Sequence, residues 1–288
     1  MNILVTGGLG FVGSHLVELL LEGDHTITVI DSLISESSSR DNMREGVTYW
    51  IDDVRNINSA KYVQEANFDI VFHLAALARI QPSFKDPTKY FSIDAMGTSE
   101  VLEYTRRSGA KLVYAGSSSA YGGPMLNPYA FAKFTGEQLC EMYSKVYGMS
   151  TVIARFFNVY GPRQPISGPY ATVVGVFEGQ TIRGELITIT GTGEQRRDFT
   201  HVKDIVSGLL ALSNQEFEGE VFNLGTGKNY SINELAKMFC PKDVAYISAR
   251  PGEAKITLAD IKATSDATGW KPSYSLNEYV QEFLNSIE

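Results

Sequence analysis

A tyrosine and a lysine four residues apart, Tyr129 and Lys133, form the pattern in this chain that is best suited to chemistry. Pro128 precedes a long amphipathic stretch, so both residues are expected near the start of one helix. Positions four apart share a helix face, which places the phenol beside the ammonium. A neighbouring positive charge favours the phenolate and lowers a pKa that is normally about 10. The pair therefore predicts a general base that works near neutral pH.

Three serines, at residues 117–119, follow an apolar segment and precede the tyrosine. A serine hydroxyl at the end of a strand can hydrogen-bond the same substrate oxygen that a nearby phenol deprotonates. Tyrosine and lysine are both common, so a chance spacing is the alternative interpretation. The elements that would position these residues decide between the two.

A glycine-rich turn lies between a predicted strand and a predicted helix near the start of the chain. The apolar run Asn2–Thr6 is followed by Gly7, Gly10 and Gly13, and residues 11–21 then repeat at helical spacing. Glycine lets a backbone approach phosphate closely, and a helix N-terminus offers free amide donors to a pyrophosphate. Strand, glycine turn and helix in this order are typical of a dinucleotide-binding site.

An acidic residue follows the next predicted strand. Asp31 comes directly after Thr26–Ile30 and lies eighteen residues beyond Gly13. A carboxylate there accepts the ribose hydroxyls of an adenosine and repels a 2′-phosphate. Arg40 would favour the phosphate, but the serine-rich residues 35–39 leave its position open. The sequence therefore predicts NAD as the cofactor.

Apolar strands alternate with helices through much of the chain. In the first half we predict strands at 47–51, 68–73, 111–115 and 151–155 and helices at 88–108 and 129–147. In the second half we predict helices at 170–184, 202–212, 232–239 and 276–287 and strands at 186–190, 220–223 and 244–247. This pattern predicts an α/β fold with a Rossmann-type, doubly wound parallel sheet. Residues 1–160 would form the NAD-binding domain, and residues 161–288 a smaller α/β substrate lobe, interleaved in sequence with the first.

Composition and charge exclude several classes of function. The chain has 288 residues, of which 43% are hydrophobic, and a net charge of −8. This charge argues against nucleic acid or an anionic membrane as partner. No apolar run is long enough to span a membrane, and we expect no signal peptide. We expect a cytoplasmic protein in which both cysteines, Cys140 and Cys240, are buried thiols and no metal is bound.

Four arginines of the second half lie in loops rather than on helix faces: Arg163, Arg196, Arg197 and Arg250. Arginine presents a planar fork that suits phosphate. For any single one of them an ordinary surface ion pair is the simpler interpretation. Their shared occurrence in loops rich in glycine and proline favours an anion-binding site.

These motifs occur together in a known family. The chain resembles the extended short-chain dehydrogenases/reductases of the nucleotide-sugar epimerase/dehydratase type, and within them the NAD-dependent UDP-glucose 4-epimerases. The resemblance rests on residues 6–13, Asp31, Asp53, 73–76, 117–122, Tyr129, Lys133, 155–164, 191–204, 222–227 and 250–260. It covers essentially the whole chain. It implies a Rossmann domain with a smaller nucleotide-sugar lobe, NAD as cofactor, a UDP-sugar as substrate and a homodimer.

The resemblance also assigns roles to individual residues. Tyr129 would be the base, Lys133 its partner on the nicotinamide ribose, and Ser117 the hydroxyl donor. NAD would be contacted by Gly7, Gly10, Phe11, Val12, Asp31, Asp53, Val54, Leu74, Ala75, Ala76, Tyr129 and Lys133. The nucleotide sugar would be contacted by Ser117, Ser118, Asn158, Arg197, Arg250 and Thr257. Among these, Asn158 and the two arginines would hold the diphosphate, and Thr257 would gate the pocket near the 2-substituent of the sugar.

The residues after Ser117 bear on the type of reaction. Dehydratases and decarboxylases of the family carry acidic residues there, whereas this chain has Ser118 and Ser119. The resemblance therefore implies 4-epimerisation of UDP-glucose and UDP-galactose through a transient 4-keto sugar, with an N-acetylated hexosamine as a further substrate. Another 4-keto reaction (reduction, decarboxylation or dehydration) and a non-catalytic dinucleotide-sensing protein are the alternatives.

Two features depart from the family pattern. Only seven residues separate Tyr121 from Tyr129, where relatives usually carry a longer loop, and this shortening is expected to open the sugar pocket. Asp94 stands where the family commonly has an asparagine, within the sequence Asp-Ala-Met-Gly-Thr.

Overall fold

The computed structural model describes residues 1–64 and 66–287, and a seven-stranded sheet is its central feature. In chain order the strands are β1 (Asn2–Thr6), β2 (Thr26–Ile30), β3 (Val47–Trp50), β4 (Ile70–His73), β5 (Lys111–Ser117), β6 (Thr151–Phe156), β7 (Val159–Tyr160), β8 (Ile187–Thr190), β9 (Arg196–Arg197), β10 (Thr200–His201), β11 (Glu218–Leu224), β12 (Tyr230–Ser231) and β13 (Val244–Ile247). The main sheet has the order β11-β6-β5-β4-β1-β2-β3, and all its neighbouring strands run parallel. The remaining strands pair as β7 with β10, β8 with β13 and β9 with β12.

The α-helices connect and cover these strands. In chain order they are α1 (Phe11–Leu21), α2 (Lys61–Gln64), α3 (Ile80–Lys85), α4 (Pro87–Tyr90), α5 (Gly97–Ser108), α6 (Ser119–Gly122), α7 (Pro128–Tyr147), α8 (Val173–Ile182), α9 (Val202–Ser213), α10 (Ile232–Met238), α11 (Lys262–Thr268) and α12 (Leu276–Ile287). A π-helical segment, Phe91–Met96, joins α4 to α5.

The predicted fold class, an α/β fold with a doubly wound parallel sheet, is confirmed. Most predicted elements differ from the observed ones by a few residues at their ends. The helix predicted at 88–108 is divided, because the π-helical segment interrupts it. The division at residue 160 stays a prediction; β11, from the second range, supplies one edge of the main sheet.

Both faces of the main sheet are buried by helices. One face packs against α1 and α9 through residues such as Val5, Leu16 and Leu209. The other packs against α5 and α7 through Leu4 and Leu102. Burying a leucine side chain contributes about 1.5–3 kcal/mol, so these two layers are a main source of stability.

The order of the strands locates the ligand site. From β1 the chain proceeds through β2 to β3 on one side, and then from β4 through β5 to β6 on the other. The chain therefore adds its first three strands toward one edge of the sheet and the next three toward the other edge, and this change of direction falls between β1 and β4. In open parallel sheets, ligands bind at the carboxyl ends of the strands beside this reversal.

The cysteines differ from expectation. Cys140 is buried on α7, but Cys240 is exposed, so the prediction of two buried thiols is wrong for Cys240. This residue lies beyond the end of α10, and its left-handed backbone, with φ of 48°, turns the chain away from the apolar face of the helix.

Within residues 1–64 and 66–287, no helix is long and apolar enough to cross a membrane. The same ranges contain no group of three or more His, Cys, Asp or Glu side chains arranged to hold a metal ion.

Candidate active site

A cavity of about 450 Å³ lies at the carboxyl edge of the main sheet. This is a usual size for a small-molecule site. Every residue to which the family resemblance assigned a role in cofactor binding, substrate binding or catalysis lines this cavity. They converge because the carboxyl ends of β1, β2, β4, β5 and β6 meet along one edge.

The glycine turn between β1 and α1 brings the backbone close to the cavity. Gly7 has a φ of 73°, and a Cβ there would lie 2.8 Å from the amide nitrogen of Ala75. A Cβ on Gly13 would lie 2.1 Å from the carbonyl oxygen of Gly7, so neither position tolerates a side chain. Gly10 precedes α1 without a side-chain cap, which leaves the first amides of the helix, at Phe11 and Val12, to a ligand. This turn fits a pyrophosphate.

Asp31, directly after β2, is held rigidly at the wall of the cavity. Its carboxylate accepts hydrogen bonds from the Leu9 amide at 3.0 Å and the Leu33 amide at 2.8 Å, with the Ser38 hydroxyl at 3.5 Å. Burial raises its pKa, and the two amide bonds act in the opposite direction. A fixed carboxylate beside a phosphate-binding turn fits the ribose hydroxyls of a dinucleotide.

Asp53 lies at the wall of the cavity just beyond β3. Its carboxylate caps the short helical turn Val54–Asn56 and forms an ion pair with Arg55 at 2.7 Å. This pairing, chiefly the hydrogen bond from Arg55, lowers the pKa of Asp53. The carboxyl therefore stays ionised and fixed beside the proposed adenosine end.

Tyr129 and Ser117 meet at the opposite end of the cavity. Ser117 is the last residue of β5, Tyr129 lies in the first turn of α7, and their side-chain oxygens are 3.3 Å apart. The Ser117 oxygen also accepts hydrogen bonds from the hydroxyl of Ser119 at 2.9 Å and from its amide at 3.2 Å. Because donors already occupy this oxygen, the Ser117 proton remains available for a substrate oxygen.

Lys133 follows Tyr129 by one turn on the same face of α7. Its ammonium lies 4.3 Å from the centre of the Tyr114 ring and forms no hydrogen bond or ion pair with the described residues. Burial lowers the pKa of Lys133, while the negative charges of Asp94 and Glu137 oppose this change. The ammonium is therefore free to donate into the cavity.

The expected lowering of the Tyr129 pKa by Lys133 does not arise from the protein's own groups. Burial is the largest influence and raises the pKa of Tyr129. The hydrogen bond with Ser117 and the cation of Arg79 lower it, but they do not outweigh burial. The prediction of a depressed pKa considered only the spacing within one helix, whereas burial depends on the whole site.

Asp94 lies behind these residues on the π-helical segment and is 1% exposed. The amide of Leu77 donates to its Oδ1 at 2.8 Å, but its Oδ2 has no hydrogen-bond partner in the described part of the chain. Burial raises the pKa of Asp94 to about 7, and the charge of Lys133 opposes this rise. A buried carboxyl that titrates near neutral pH therefore lies close to the reacting end of the cavity.

Two of the four loop arginines line the cavity and two do not. Arg197 and Arg250 lie in its wall. Arg163 instead forms a two-pronged ion pair with Glu18, at 2.6 and 2.7 Å, and Arg196 contacts Glu234 at 3.0 Å. The interpretation as anion ligands is therefore wrong for Arg163 and Arg196.

Asn158 and Thr257 are linked within the wall of the cavity. The side-chain amide of Asn158 donates to the backbone carbonyl of Asp198 at 3.0 Å and to the Thr257 hydroxyl at 3.2 Å. The Asp198 carboxylate is fully buried and accepts from the backbone amides of residues 226, 227 and 259. This network holds the loop residues that line the cavity.

The short connection between α6 and α7 packs against neighbouring residues and does not open the cavity as expected. Asn127 caps α7, and its side-chain amide also donates to the carbonyl of Gly252 at 2.9 Å. Gly122 lies against Ala254, since a Cβ at Gly122 would be 2.8 Å from the Ala254 Cβ. The connection therefore packs against residues 252–254, which line the same cavity.

Arg79 and Tyr170 are among the cavity residues that the sequence analysis did not assign to the site. Arg79 follows the small residues after β4, and Tyr170 precedes α8. The Nε of Arg79 donates to the carbonyl of Tyr170 at 2.6 Å, which joins the segment after β4 to the segment before α8. A basic residue in the connection between a strand and the next helix was the available signal for Arg79.

The family model described as the NAD-dependent epimerase/dehydratase family matches residues 3–225. The chain belongs to this family. Family members are extended short-chain dehydrogenases/reductases that act on nucleotide sugars, and this part of the sequence-based prediction is confirmed.

Individual relatives narrow the comparison. A putative UDP-glucose 4-epimerase of Methanocaldococcus jannaschii is 32% identical over 98% of this chain and 97% of its own length. The crystal structure of UDP-glucose 4-epimerase with UDP-glucose from Thermotoga maritima superimposes with a TM-score of 0.93 at 30% identity, covering all of both chains. A UDP-glucuronic acid 4-epimerase from Bacillus cereus, in complex with UDP-glucuronic acid and NAD, has a TM-score of 0.89 at 31% identity, covering 100% of this chain and 99% of that one.

Proposed function

We propose that this protein is an NAD-dependent nucleotide-sugar 4-epimerase that interconverts UDP-glucose and UDP-galactose. The observation that carries the proposal is the pairing of Tyr129 with Ser117 at 3.3 Å, beside the free ammonium of Lys133, at one end of the cavity. The glycine turn and Asp31 at the other end fit a dinucleotide. The family and the NAD complex of a relative support NAD as the cofactor.

In the proposed mechanism, Tyr129 takes the proton of the sugar 4-hydroxyl as general base. Ser117 donates a hydrogen bond to the same oxygen and orients it. Lys133 supplies a positive charge that stabilises the phenolate. NAD, held by the glycine turn and Asp31, would supply the hydride chemistry at C4. The 4-keto sugar rotates in the cavity, and Tyr129 gives the proton back once C4 has been reduced on its other face.

The residues around Ser117 favour epimerisation over the other 4-keto reactions. Dehydration needs an acid that expels the 6-hydroxyl, and Ser118 and Ser119 follow Ser117 instead. The hydroxyl of Ser119 is engaged with Ser117 at 2.9 Å. A serine hydroxyl is too weak an acid for this step at neutral pH.

Arg197 and Arg250 are proposed to bind the diphosphate of the substrate. Arg197 donates to the backbone carbonyl of Arg196 at 3.0 Å and contacts Glu253 at 3.4 Å, so its fork is held against the wall. Burial lowers the pKa of Arg197 without removing its charge. Arg250 lines the same cavity and is exposed.

We also propose that the sugar pocket accepts a 2-acetamido group. Thr257 is small, 6% exposed and part of the cavity wall. Thr257→Tyr should depress turnover of UDP-N-acetylglucosamine far more than that of UDP-glucose, because only the larger sugar meets the added ring. An equal effect on both sugars would end this part of the proposal. Thr257→Val, which keeps the shape and loses only the hydroxyl, serves as the control.

A homodimer is proposed from an exposed apolar face. Phe131, Met142 and Val146 recur along the outer side of α7, and Val146 is 63% exposed. Phe131 contacts Phe91 of the neighbouring helical segment with ring centres 5.8 Å apart. Contiguous exposed apolar side chains mark interaction surfaces. Val146→Glu should convert a dimer to a monomer in sedimentation equilibrium, and a monomeric wild type would refute this part.

The reaction is tested by product identification. Purified protein loaded with NAD is incubated separately with UDP-glucose, UDP-galactose and UDP-N-acetylglucosamine, and the products are assigned by NMR. The proposal expects inversion at C4 alone, with approach to equilibrium from either side. A deoxy, decarboxylated or 4-reduced product, or no product with any nucleotide sugar, would refute it.

A further inference from the structure

Arg79 places a positive charge in the cavity, and no acidic side chain in residues 1–64 and 66–287 forms an ion pair with it. It lies between β4 and α3 and lines the cavity. Its Nε donates to the carbonyl of Tyr170, but its two terminal nitrogens make no hydrogen bond or ion pair with the described residues. Burial lowers the pKa of Arg79, yet a guanidinium stays protonated at any physiological pH.

The Arg79 guanidinium lies at the end of the cavity that contains Tyr129. The Arg79 cation acts directly on the phenol and lowers the pKa of Tyr129. Arg197, one of the two proposed diphosphate ligands, pairs instead with Glu253, on the segment that follows β13. The positive charge of Arg79 therefore faces the sugar rather than the diphosphate.

The acidic residues of the cavity wall are already engaged elsewhere. Asp31 accepts from the Leu9 and Leu33 amides, Asp53 pairs with Arg55, and Glu253 pairs with Arg197. None of them contacts Arg79. A charge buried without a partner is costly, and a bound anion would compensate it.

A carboxylate is the anion that best matches these constraints. Guanidinium binds carboxylate with two parallel hydrogen bonds, and the two free nitrogens of Arg79 offer this geometry. A neutral hexose has no group of this kind, whereas a hexuronic acid carries a carboxylate at C6, next to the ring carbon that neighbours C4. We propose that Arg79 determines specificity by binding a carboxylate on the sugar, so that the preferred substrate is a nucleotide-linked hexuronic acid. This inference rests on the proposed function, and extends it from neutral sugars to an anionic one.

The test compares two substrates that differ only at C6. Initial rates of substrate consumption are measured for the full chain loaded with NAD, with UDP-glucuronic acid and with UDP-glucose. Wild type is expected to show a kcat/KM at least tenfold higher for the uronate. Arg79→Gln keeps an amide donor for the Tyr170 carbonyl and removes the charge. It should lower kcat/KM for UDP-glucuronic acid by about a hundredfold, the effect of losing one member of a desolvated charge pair. The loss for UDP-glucose should be at least about tenfold smaller, because the neutral sugar loses only the effect of the Arg79 charge on Tyr129.

Two other roles for Arg79 give different results. If it only holds the Tyr170 segment, or only lowers the pKa of Tyr129, Arg79→Gln impairs both substrates equally, and the proposal is overturned. A wild-type preference for UDP-glucose overturns it as well. Should Arg79→Gln fail to fold, the wild-type preference and Arg79→Lys decide the question, because lysine keeps the charge and should retain most of the preference for the uronate.

Recognition and reaction type are measured separately. Calorimetry of the two UDP-sugars with the NAD-loaded Tyr129→Phe variant, and with Tyr129→Phe combined with Arg79→Gln, reports the role of Arg79 without turnover. A product from UDP-glucuronic acid that has lost C6 as CO₂, with a proton added at C5, would refute 4-epimerisation and still support Arg79 as the carboxylate ligand. Inversion of UDP-glucose at C4 without preference for the uronate would support 4-epimerisation and refute the role of Arg79.

Discussion

The phenolic oxygen of Tyr129 lies 3.3 Å from the hydroxyl oxygen of Ser117, although the two residues come from different elements. The strand β5 fixes Ser117 at its carboxyl end, and the first turn of α7 fixes Tyr129. The hydroxyl of Ser83 also accepts a hydrogen bond from the Tyr129 amide at 3.2 Å. A base and a hydrogen-bond donor held this closely can act on one substrate oxygen.

Tyr129→Phe removes the titratable oxygen and keeps the ring. Turnover is expected to fall by about two to four orders of magnitude, the range for loss of a general acid–base group. Thermal unfolding and NAD binding should stay close to wild type. Tyr121→Phe is the matched control, because its hydroxyl contacts Asn223 at 2.9 Å and the residue lies outside the cavity wall. Near-native turnover of Tyr129→Phe would show that the proton is transferred elsewhere.

Ser117 and its neighbour Ser119 should differ in the size of their effects. Ser117→Ala removes the group proposed to contact the substrate oxygen, and kcat should fall about a hundredfold. Ser119→Ala removes only a neutral hydrogen bond to Ser117, which is worth about tenfold at most. Steady-state kinetics of the two variants give the comparison. A larger loss for Ser119→Ala than for Ser117→Ala would reverse the assigned roles.

Asp31 should make the protein selective for NAD. Its carboxylate is held beside the glycine turn by the amides of Leu9 and Leu33, so a 2′-phosphate would meet a fixed negative charge. NAD is expected to bind at least about tenfold more tightly than NADP, or about 1.4 kcal/mol. Calorimetry with the two cofactors measures this difference. Equal affinities for NAD and NADP would show that Asp31 does not contact the adenosine ribose.

Asp94 should make stability depend on pH. Its pKa is about 7 in the folded protein, against an ordinary value of 3.8, so the folded state holds an extra proton between these two values. The free energy of unfolding should therefore fall as pH rises from about 4 to about 7. Asp94→Asn removes this titration and keeps an acceptor for the Leu77 amide.

Urea unfolding at pH 5 and pH 8 tests the role of Asp94. The loss of stability between these two values should be smaller in Asp94→Asn than in wild type by about 3 kcal/mol, at 1.36 kcal/mol per pKa unit. Buried His73, with a pKa lowered to about 3, contributes equally to both proteins. Equal changes in the two proteins would mean that Asp94 is ionised throughout.

Much of the site followed from sequence because of the way parallel sheets are built. Gly7, Asp31 and Ser117 each lie directly at or beyond the end of an apolar run, and the ends of parallel strands meet along one edge. Local periodicity was therefore enough to bring them together. The four-residue spacing of Tyr129 and Lys133 likewise predicted that both lie on one face of the same helix.

The features that the sequence analysis did not predict depend mostly on contacts between residues far apart in the chain. The ion pair between Arg163 and Glu18 joins positions 145 residues apart, and no local pattern marks it. The raised pKa of Tyr129 comes from burial by several elements. The π-helical turn that carries Asp94 has no distinct sequence period, so a single continuous helix was expected.

The fate of the hydrogen at C4 tests the central claim most directly. The NAD-loaded protein is incubated with UDP-glucose labelled with deuterium at C4, and with UDP-glucuronic acid labelled in the same way, and the products are examined by NMR and mass spectrometry. An epimerase of the proposed kind returns the same hydride, so the product should be the C4 epimer with deuterium retained at C4 and no net change in the cofactor. Loss of the label to solvent, accumulation of reduced cofactor, or a product unchanged in configuration at C4 would contradict the account.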